Sequence, residues 1–96
     1  MNARFVNKVV VVTGAAQGIG RGVAEALAQE GAKLVLVDRA IFLSEVASEI
    51  KAAAGLADSD ILTVEADLGS WSGAEQMAQA ALTQFGRLDV LINNVG

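Results

Sequence analysis

The 96-residue chain contains no cysteine, histidine, proline or tyrosine. Without cysteine it cannot form disulfides or zinc–thiolate sites, and it has no thiol nucleophile. Without histidine it lacks the commonest side chain for metal binding and for general acid–base catalysis. The absence of cysteine and histidine therefore excludes disulfides, thiol-dependent chemistry and histidine-dependent chemistry from residues 1–96.

The charge balance is acidic, with 7 basic and 11 acidic residues and a net charge of −4. Because no basic block is present, the sequence argues against a nucleic-acid partner. The N-terminus is polar, and the apolar run Val9–Val12 is far shorter than the ~20 residues that span a membrane. We expect no signal peptide, no membrane partner and a cytoplasmic location, with residues 1–96 forming all or part of a single domain.

The most informative motif is an apolar strand, Val9–Val12, that leads through Gly14, Gly18 and Gly20 into an amphipathic helix. Glycines let the backbone approach a bulky anion, and the N–H groups at a helix start attract negative charge. The spacing G-x-x-x-G-x-G differs from the dinucleotide fingerprint G-x-G-x-x-G. It also excludes a P-loop, whose second glycine would fall at Ile19. The turn therefore predicts a nucleotide phosphate site of another pattern, although the glycines could also serve a tight turn alone.

A second apolar strand, Lys33–Val37, ends in Asp38, at about the 20-residue distance where an acid contacts the adenosine ribose of a bound dinucleotide. A carboxylate accepts hydrogen bonds from the ribose diol and repels a 2′-phosphate, which favours NAD over NADP. Arg39 keeps NADP open, since an arginine near this strand end accommodates the 2′-phosphate. The alternative for Asp38 is a loop-capping acid without a ligand.

Strand-like and helix-like segments alternate along the chain in the order β-α-β-α-β-α-β. The nearly all-apolar strands are typical of a parallel sheet covered by helices on both faces, and we expect the third at 61–66 and the fourth at 88–93. Right-handed crossovers then predict a Rossmann-type, doubly wound α/β fold with strand order 3-2-1-4. The predicted buried helix faces are Ile19, Val23 and Leu27; Leu43, Val46, Ala47, Ile50 and Ala54; and Met77, Ala78, Ala81, Leu82 and Phe85.

Four motifs in this order resemble the short-chain dehydrogenases/reductases, and the resemblance spans the whole chain. The motifs are Thr13-Gly14-x-x-x-Gly18-Ile19-Gly20, the acid Asp38, Asp67-Leu68 and Asn93-Asn94-x-Gly96. The resemblance implies that Gly14 to Gly20, including Gln17 and Ile19, hold the pyrophosphate and that Asp38 binds the adenosine ribose. It further implies that Asp67 and Leu68 flank the adenine and that Asn93 lies beside the cofactor. Asp67 could instead be a loop acid near a helix start, Asn94 is expected to tie strands together, and Thr13 to bond within the turn.

A closer resemblance comes from Asn93-Asn94-Val95-Gly96, from the start Asn2-Ala3-Arg4-Phe5 and from the stretch Phe85–Leu91. These are similar to the bacterial dehydrogenases that act on benzoate cis-dihydrodiols, which implies NAD-dependent oxidation of a small-molecule diol to catechol with release of CO2. Family members are longer and carry a serine and a Tyr-x-x-x-Lys motif beyond the fourth strand, so no catalytic residue can be assigned here. The chain is therefore expected to be the N-terminal portion of a dehydrogenase, homo-oligomeric when full length.

Two other functions remain open. A noncatalytic NAD(H)-binding module would need none of the missing catalytic residues. An NADP-dependent carbonyl or acyl-carrier reductase of the same family would differ in cofactor and in the direction of the reaction.

Overall fold

A computed structural model describes residues 5–66 and 71–94 of the chain. Strands and helices alternate as the hydrophobic pattern predicts. In chain order the elements are β1 (Val9–Thr13), α1 (Gly18–Gln29), β2 (Lys33–Asp38), α2 (Leu43–Ala54), β3 (Ile61–Glu65), α3 (Trp71–Phe85) and β4 (Val90–Ile92), with a short 3₁₀ turn at Asp58–Asp60 before β3. None of the helices in the described ranges has both the length and the apolar character needed to cross a membrane.

The four strands form one parallel sheet in the order β3-β2-β1-β4, which confirms the predicted strand order. In the register of β1, Val12 lies between Leu36 of β2 and Ile92 of β4. Because all strands run the same way, their carboxyl ends meet at one edge of the sheet. The residues that follow β1, β2 and β4 are therefore neighbours in space.

Helices cover the sheet on both faces, because alternate strand residues point to opposite sides. On one face α1 and α2 pack over Val10, Val12, Leu34 and Leu36. On the other face α3 packs through Met77 and Ala81 over a second set, namely Val9, Val11, Val35, Val37 and Val64. β1 and the interior of β2 are buried on both faces, which explains why they are continuously apolar.

Although Val23 and Leu27 are half-buried, helix α1 buries the face predicted for it only in part. Its buried residues are Gly20, Ala24 and Ala28, whereas Ile19 is 76% exposed. The prediction followed the large apolar residues, but here the helix contacts the sheet through its small ones, which lets its axis come close. This close approach brings the start of α1 against the end of β1.

The buried face predicted for α2 is confirmed, since Leu43, Val46, Ala47 and Ile50 are buried and Ala54 is half-buried. It ends at Gly55, whose φ of 68° is the left-handed conformation that glycine adopts without strain. In α3 the prediction was right for Met77 and Ala81 but wrong for Leu82, which is half-exposed.

Strand β4 is shorter than the predicted range 88–93 and covers Val90–Ile92. The reason lies at Asp89, whose main-chain N–H donates to the carbonyl of Val9 at 2.9 Å. The carboxylate of Asp89 in turn accepts the N–H of Val9 at 2.8 Å. A side chain therefore completes the pairing with β1 before the regular strand begins.

Candidate cofactor site

The turn between β1 and α1 requires glycine at two positions because of its backbone angles. Gly14 has a φ of 62° and Gly18 a φ of 63°, both in the left-handed region that other residues adopt only with strain. These two residues reverse the chain direction between the end of β1 at Thr13 and the start of α1.

Gly20 is glycine for a different reason, which is close packing. A Cβ at Gly20 would lie 2.0 Å from the carbonyl oxygen of Gly14 and 2.8 Å from Nδ2 of Asn94. A Cβ at Gly14 would likewise lie 2.6 Å from the carbonyl oxygen of Asn94. The turn, the first turn of α1 and the segment after β4 therefore meet with no room for a side chain between them.

The outer side of the same turn is open. A Cβ at Gly18 would meet nothing within 4 Å, and Gln17, Gly18 and Ile19 are all exposed. No side chain caps α1 at its N-cap residue, Gln17. The Gln17 side chain thus gives the first N–H groups of the helix no acceptor, and the positive end of the helix dipole lies beside exposed residues. This geometry suits the phosphates of a dinucleotide.

Asp38, the last residue of β2, is half-buried beside this turn. Its Oδ2 accepts the N–H of Ala16 at 3.0 Å, and its Oδ1 accepts the N–H of Ala40 at 3.0 Å. Each carboxylate oxygen offers about two lone-pair positions, so both retain capacity for a ribose hydroxyl. The neighbouring residue Arg39 is exposed.

Thr13 connects the end of β1 to the segment after β4. Its side chain is buried, and its Oγ1 accepts the main-chain N–H of Asn94 at 2.8 Å. The hydroxyl proton can go to the carbonyl of Ile92 at 3.3 Å or to Oδ1 of Asn93 at 3.1 Å. The expectation that Thr13 bonds within its own turn was wrong, because the hydroxyl bridges two strands. This contact joins Asn94 to β1 through its main-chain N–H only, so the expectation that Asn94 ties strands together stays a prediction where its side chain is concerned.

The predicted site residues that fall in the described ranges converge on one edge of the sheet: Gly14, Gln17, Gly18, Ile19 and Gly20 after β1, Asp38 at the end of β2, and Asn93 after β4. Asp67 and Leu68 lie outside the described residues. Within the described ranges no group of three or more acidic residues could hold a metal ion. Sequence reasoning missed Ala16 and Ala40, whose contribution is a main-chain N–H and leaves no residue-type signal.

The family described as short chain dehydrogenase matches residues 8–96. The chain belongs to this family. Membership agrees with the parallel sheet, the glycine turn after β1 and the acid that ends β2.

Two curated relatives carry the same name, 1,6-dihydroxycyclohexa-2,4-diene-1-carboxylate dehydrogenase. The protein from Acinetobacter baylyi is 55% identical over 93 residues, covering 97% of this chain, and the protein from Pseudomonas putida is 52% identical over 96 residues, covering 100%. The chain spans 34% of the length of each of these two relatives.

Among solved structures, L-sorbose reductase from Gluconobacter frateurii, in complex with NADPH and L-sorbose, matches with a TM-score of 0.91. It is 35% identical, and the match covers 100% of this chain and 36% of that one. This likeness confirms the Rossmann-type fold. Because that relative was solved with NADPH, the choice between NAD and NADP has to be argued from the residues at the end of β2.

Proposed function

We propose that this chain is the NAD-binding portion of an NAD-dependent dehydrogenase. The observation that carries the proposal is the pairing of an uncapped, open helix start at Gly18 with the carboxylate of Asp38 at the same sheet edge. The first suits a pyrophosphate, and the second suits a ribose diol. Family membership supports a nicotinamide dinucleotide as the ligand that carries both groups.

Each predicted residue then has a role toward the cofactor. The turn from Gly14 to Gly20, including Gln17 and Ile19, binds the pyrophosphate through main-chain N–H groups. Asp38 accepts the hydroxyls of the adenosine ribose, Asp67 and Leu68 flank the adenine, and Asn93 lies beside the cofactor. The bound NAD would supply the hydride acceptor, while these residues fix its position at the sheet edge.

Preference for NAD follows from the charge of Asp38. Two unit charges ~4 Å apart cost about 4 kcal/mol at an effective dielectric constant of 20, so a 2′-phosphate beside this carboxylate is disfavoured. Asp38 is half-buried and already held by two N–H donors, so its carboxylate cannot swing away without breaking those bonds. Arg39 is exposed, and it is the feature that favours the NADP-dependent reductase as the second candidate.

The substrate proposal rests on the two dihydrodiol dehydrogenases, which are more than half identical to this chain over nearly its full length. The full-length protein would oxidise 1,6-dihydroxycyclohexa-2,4-diene-1-carboxylate. When bound, NAD would accept the hydride from the secondary alcohol carbon while the hydroxyl loses its proton, and loss of CO2 from the resulting β-keto acid, with uptake of one proton, would yield catechol. The groups that act on the substrate are not assigned to any residue of this chain, which has no tyrosine. Homo-oligomerisation is proposed by analogy with the family.

The test uses the gene product that contains this chain, expressed from its natural start to the end of its reading frame. NADH formation is followed with the benzoate cis-dihydrodiol and with a panel of simple alcohols, and catechol and CO2 are quantified. NADH and catechol in equal amounts from the dihydrodiol would support the proposal. Binding of NAD without turnover would support a noncatalytic module, and activity with NADP alone would support the reductase.

A further inference from the structure

The carboxylate of Asp38 accepts main-chain N–H groups from two different segments of the chain. Besides the N–H of Ala40, two residues further along, its carboxylate accepts the N–H of Ala16 from the turn after β1. One residue earlier in that turn, Ala15 donates its N–H to the carbonyl of Val37 at 3.2 Å. The turn is therefore attached to β2 twice, first through the main chain and then through the carboxylate.

These two attachments hold the first half of the turn. Ala15 and Ala16 are 0% and 2% exposed, whereas the second half, Gln17 and Gly18, is exposed and makes no side-chain cap. Gly14, with a φ of 62°, precedes Ala15, and Gly18, with a φ of 63°, follows Gln17. Glycine restricts its own backbone less than any other residue. The direction of the N–H groups in the open half thus depends on how firmly the buried half is anchored.

We infer that Asp38 is a positioning residue for the phosphate-binding turn, in addition to its proposed contact with the ribose. Its carboxylate fixes Ala16 before any cofactor arrives and so aims the N–H groups that follow. This inference rests on the proposed function, because it assigns Asp38 a second action at the same cofactor site. It also predicts that part of the affinity contributed by Asp38 survives when the ribose hydroxyls are removed from the ligand.

Asparagine tests this dual role because it has nearly the same shape as aspartate but only one acceptor oxygen. An ionised carboxylate accepts at both oxygens, whereas the asparagine NH2 group can only donate. With Asp38→Asn, either Ala16 or Ala40 faces a donor instead of an acceptor. The matched control is Asp58→Asn, which removes the same charge from an exposed carboxylate that pairs with Lys51 before β3.

The experiment measures binding to the full-length protein by isothermal titration calorimetry, using NAD and an NAD analogue whose adenosine ribose lacks both hydroxyls. Loss of one hydrogen bond corresponds to a change of about 2- to 12-fold in affinity. We expect Asp38→Asn to weaken binding of the analogue by that factor, and Asp58→Asn to leave it unchanged. Equal affinity of wild type and Asp38→Asn for the analogue would overturn the inference while leaving the ribose contact intact. Failure of the wild type to bind NAD would overturn the proposed function itself.

A second measurement follows the turn without ligand. Hydrogen–deuterium exchange is compared by mass spectrometry for peptides covering residues 13–20 and, as an internal reference, α2. We expect Asp38→Asn to speed exchange in the first peptide and to leave α2 protected as in the wild type. Unchanged exchange at 13–20 in a variant that remains folded would contradict the positioning role.

Discussion

Replacing Gly20 with alanine tests whether the close approach of α1 to the turn is what forms the cofactor site. The added Cβ would lie 2.0 Å from the carbonyl oxygen of Gly14 and 2.8 Å from Nδ2 of Asn94. Ordinary van der Waals contacts between heavy atoms lie near 3.5–4.0 Å, so the overlap exceeds about 1 Å. Because the oxygen belongs to the backbone of a left-handed residue, no side-chain rotation relieves it, and the turn has to move.

We expect the loss of stability caused by Gly20→Ala to lie at the upper end of the range for overpacked sites. Such substitutions cost about 1–3 kcal/mol, occasionally more, and the gain of about 0.5–1 kcal/mol from alanine in a helix offsets only part of this. We expect Gly20→Ala to destabilise by roughly 2–3 kcal/mol, which is about 4–12 °C in Tm for a domain of 150–250 residues. We also expect weaker NAD binding, because the N–H groups of the turn are displaced.

Gly22 supplies the matched control, since it lies in the same helix and a Cβ there would meet nothing within 4 Å. Gly22→Ala should leave NAD affinity unchanged and raise stability by up to about 1 kcal/mol. The assay is thermal melting of the full-length protein with and without NAD, combined with titration of the cofactor. Equal Tm and equal NAD affinity for the two variants would refute the close-packing argument.

Two further predictions concern contacts that join the strands. Thr13→Val removes the hydroxyl that accepts the N–H of Asn94, and we expect a loss of about 1–3 kcal/mol in urea denaturation, most of which Thr13→Ser recovers; equal losses for valine and serine would contradict this. The Arg87 guanidinium, and after it the N–H of Val9, lowers the pKa of Asp89 below its usual value. The stabilisation from Asp89 is therefore complete above about pH 4 and lost as the pH falls through the lowered pKa of the folded state. The gap in urea midpoint between wild type and Asp89→Asn should shrink between pH 7 and pH 3, and a gap that stays constant would show that Asp89 is not the titrating group.

The sequence was sufficient to predict the parallel sheet, because β1 and the interior of β2, buried on both faces, are continuously apolar, and right-handed crossovers then predict its strand order. It also predicted the buried face of α2, where large apolar residues recur at helical spacing. The same reasoning was wrong at the start of α1, because Ile19 is large and apolar but exposed, while Gly20 and Ala24 are small and buried. Periodicity of large residues does not detect a helix that packs through its small ones.

The position of Asp38 at the edge of the sheet was predictable, because its side chain carries a signal in the sequence. The site was not predictable where the partner is main chain. Ala16 and Ala40 contribute N–H groups that any residue except proline possesses, so no pattern in the sequence identifies them. The bridge from Thr13 to Asn94 was missed for a related reason, because the distance between strand ends is set by the assembled sheet.

Direct titration tests whether a nicotinamide dinucleotide binds at the glycine turn and whether Asp38 selects NAD. The full-length protein is titrated calorimetrically with NAD and with NADP under identical salt conditions, and the Asp38→Ala variant is titrated alongside. We expect the wild type to bind NAD at least about tenfold more tightly than NADP, a difference of about 1.4 kcal/mol, and Asp38→Ala to narrow that ratio. Tighter binding of NADP, a ratio unaffected by Asp38→Ala, or no binding of either cofactor would contradict the proposal.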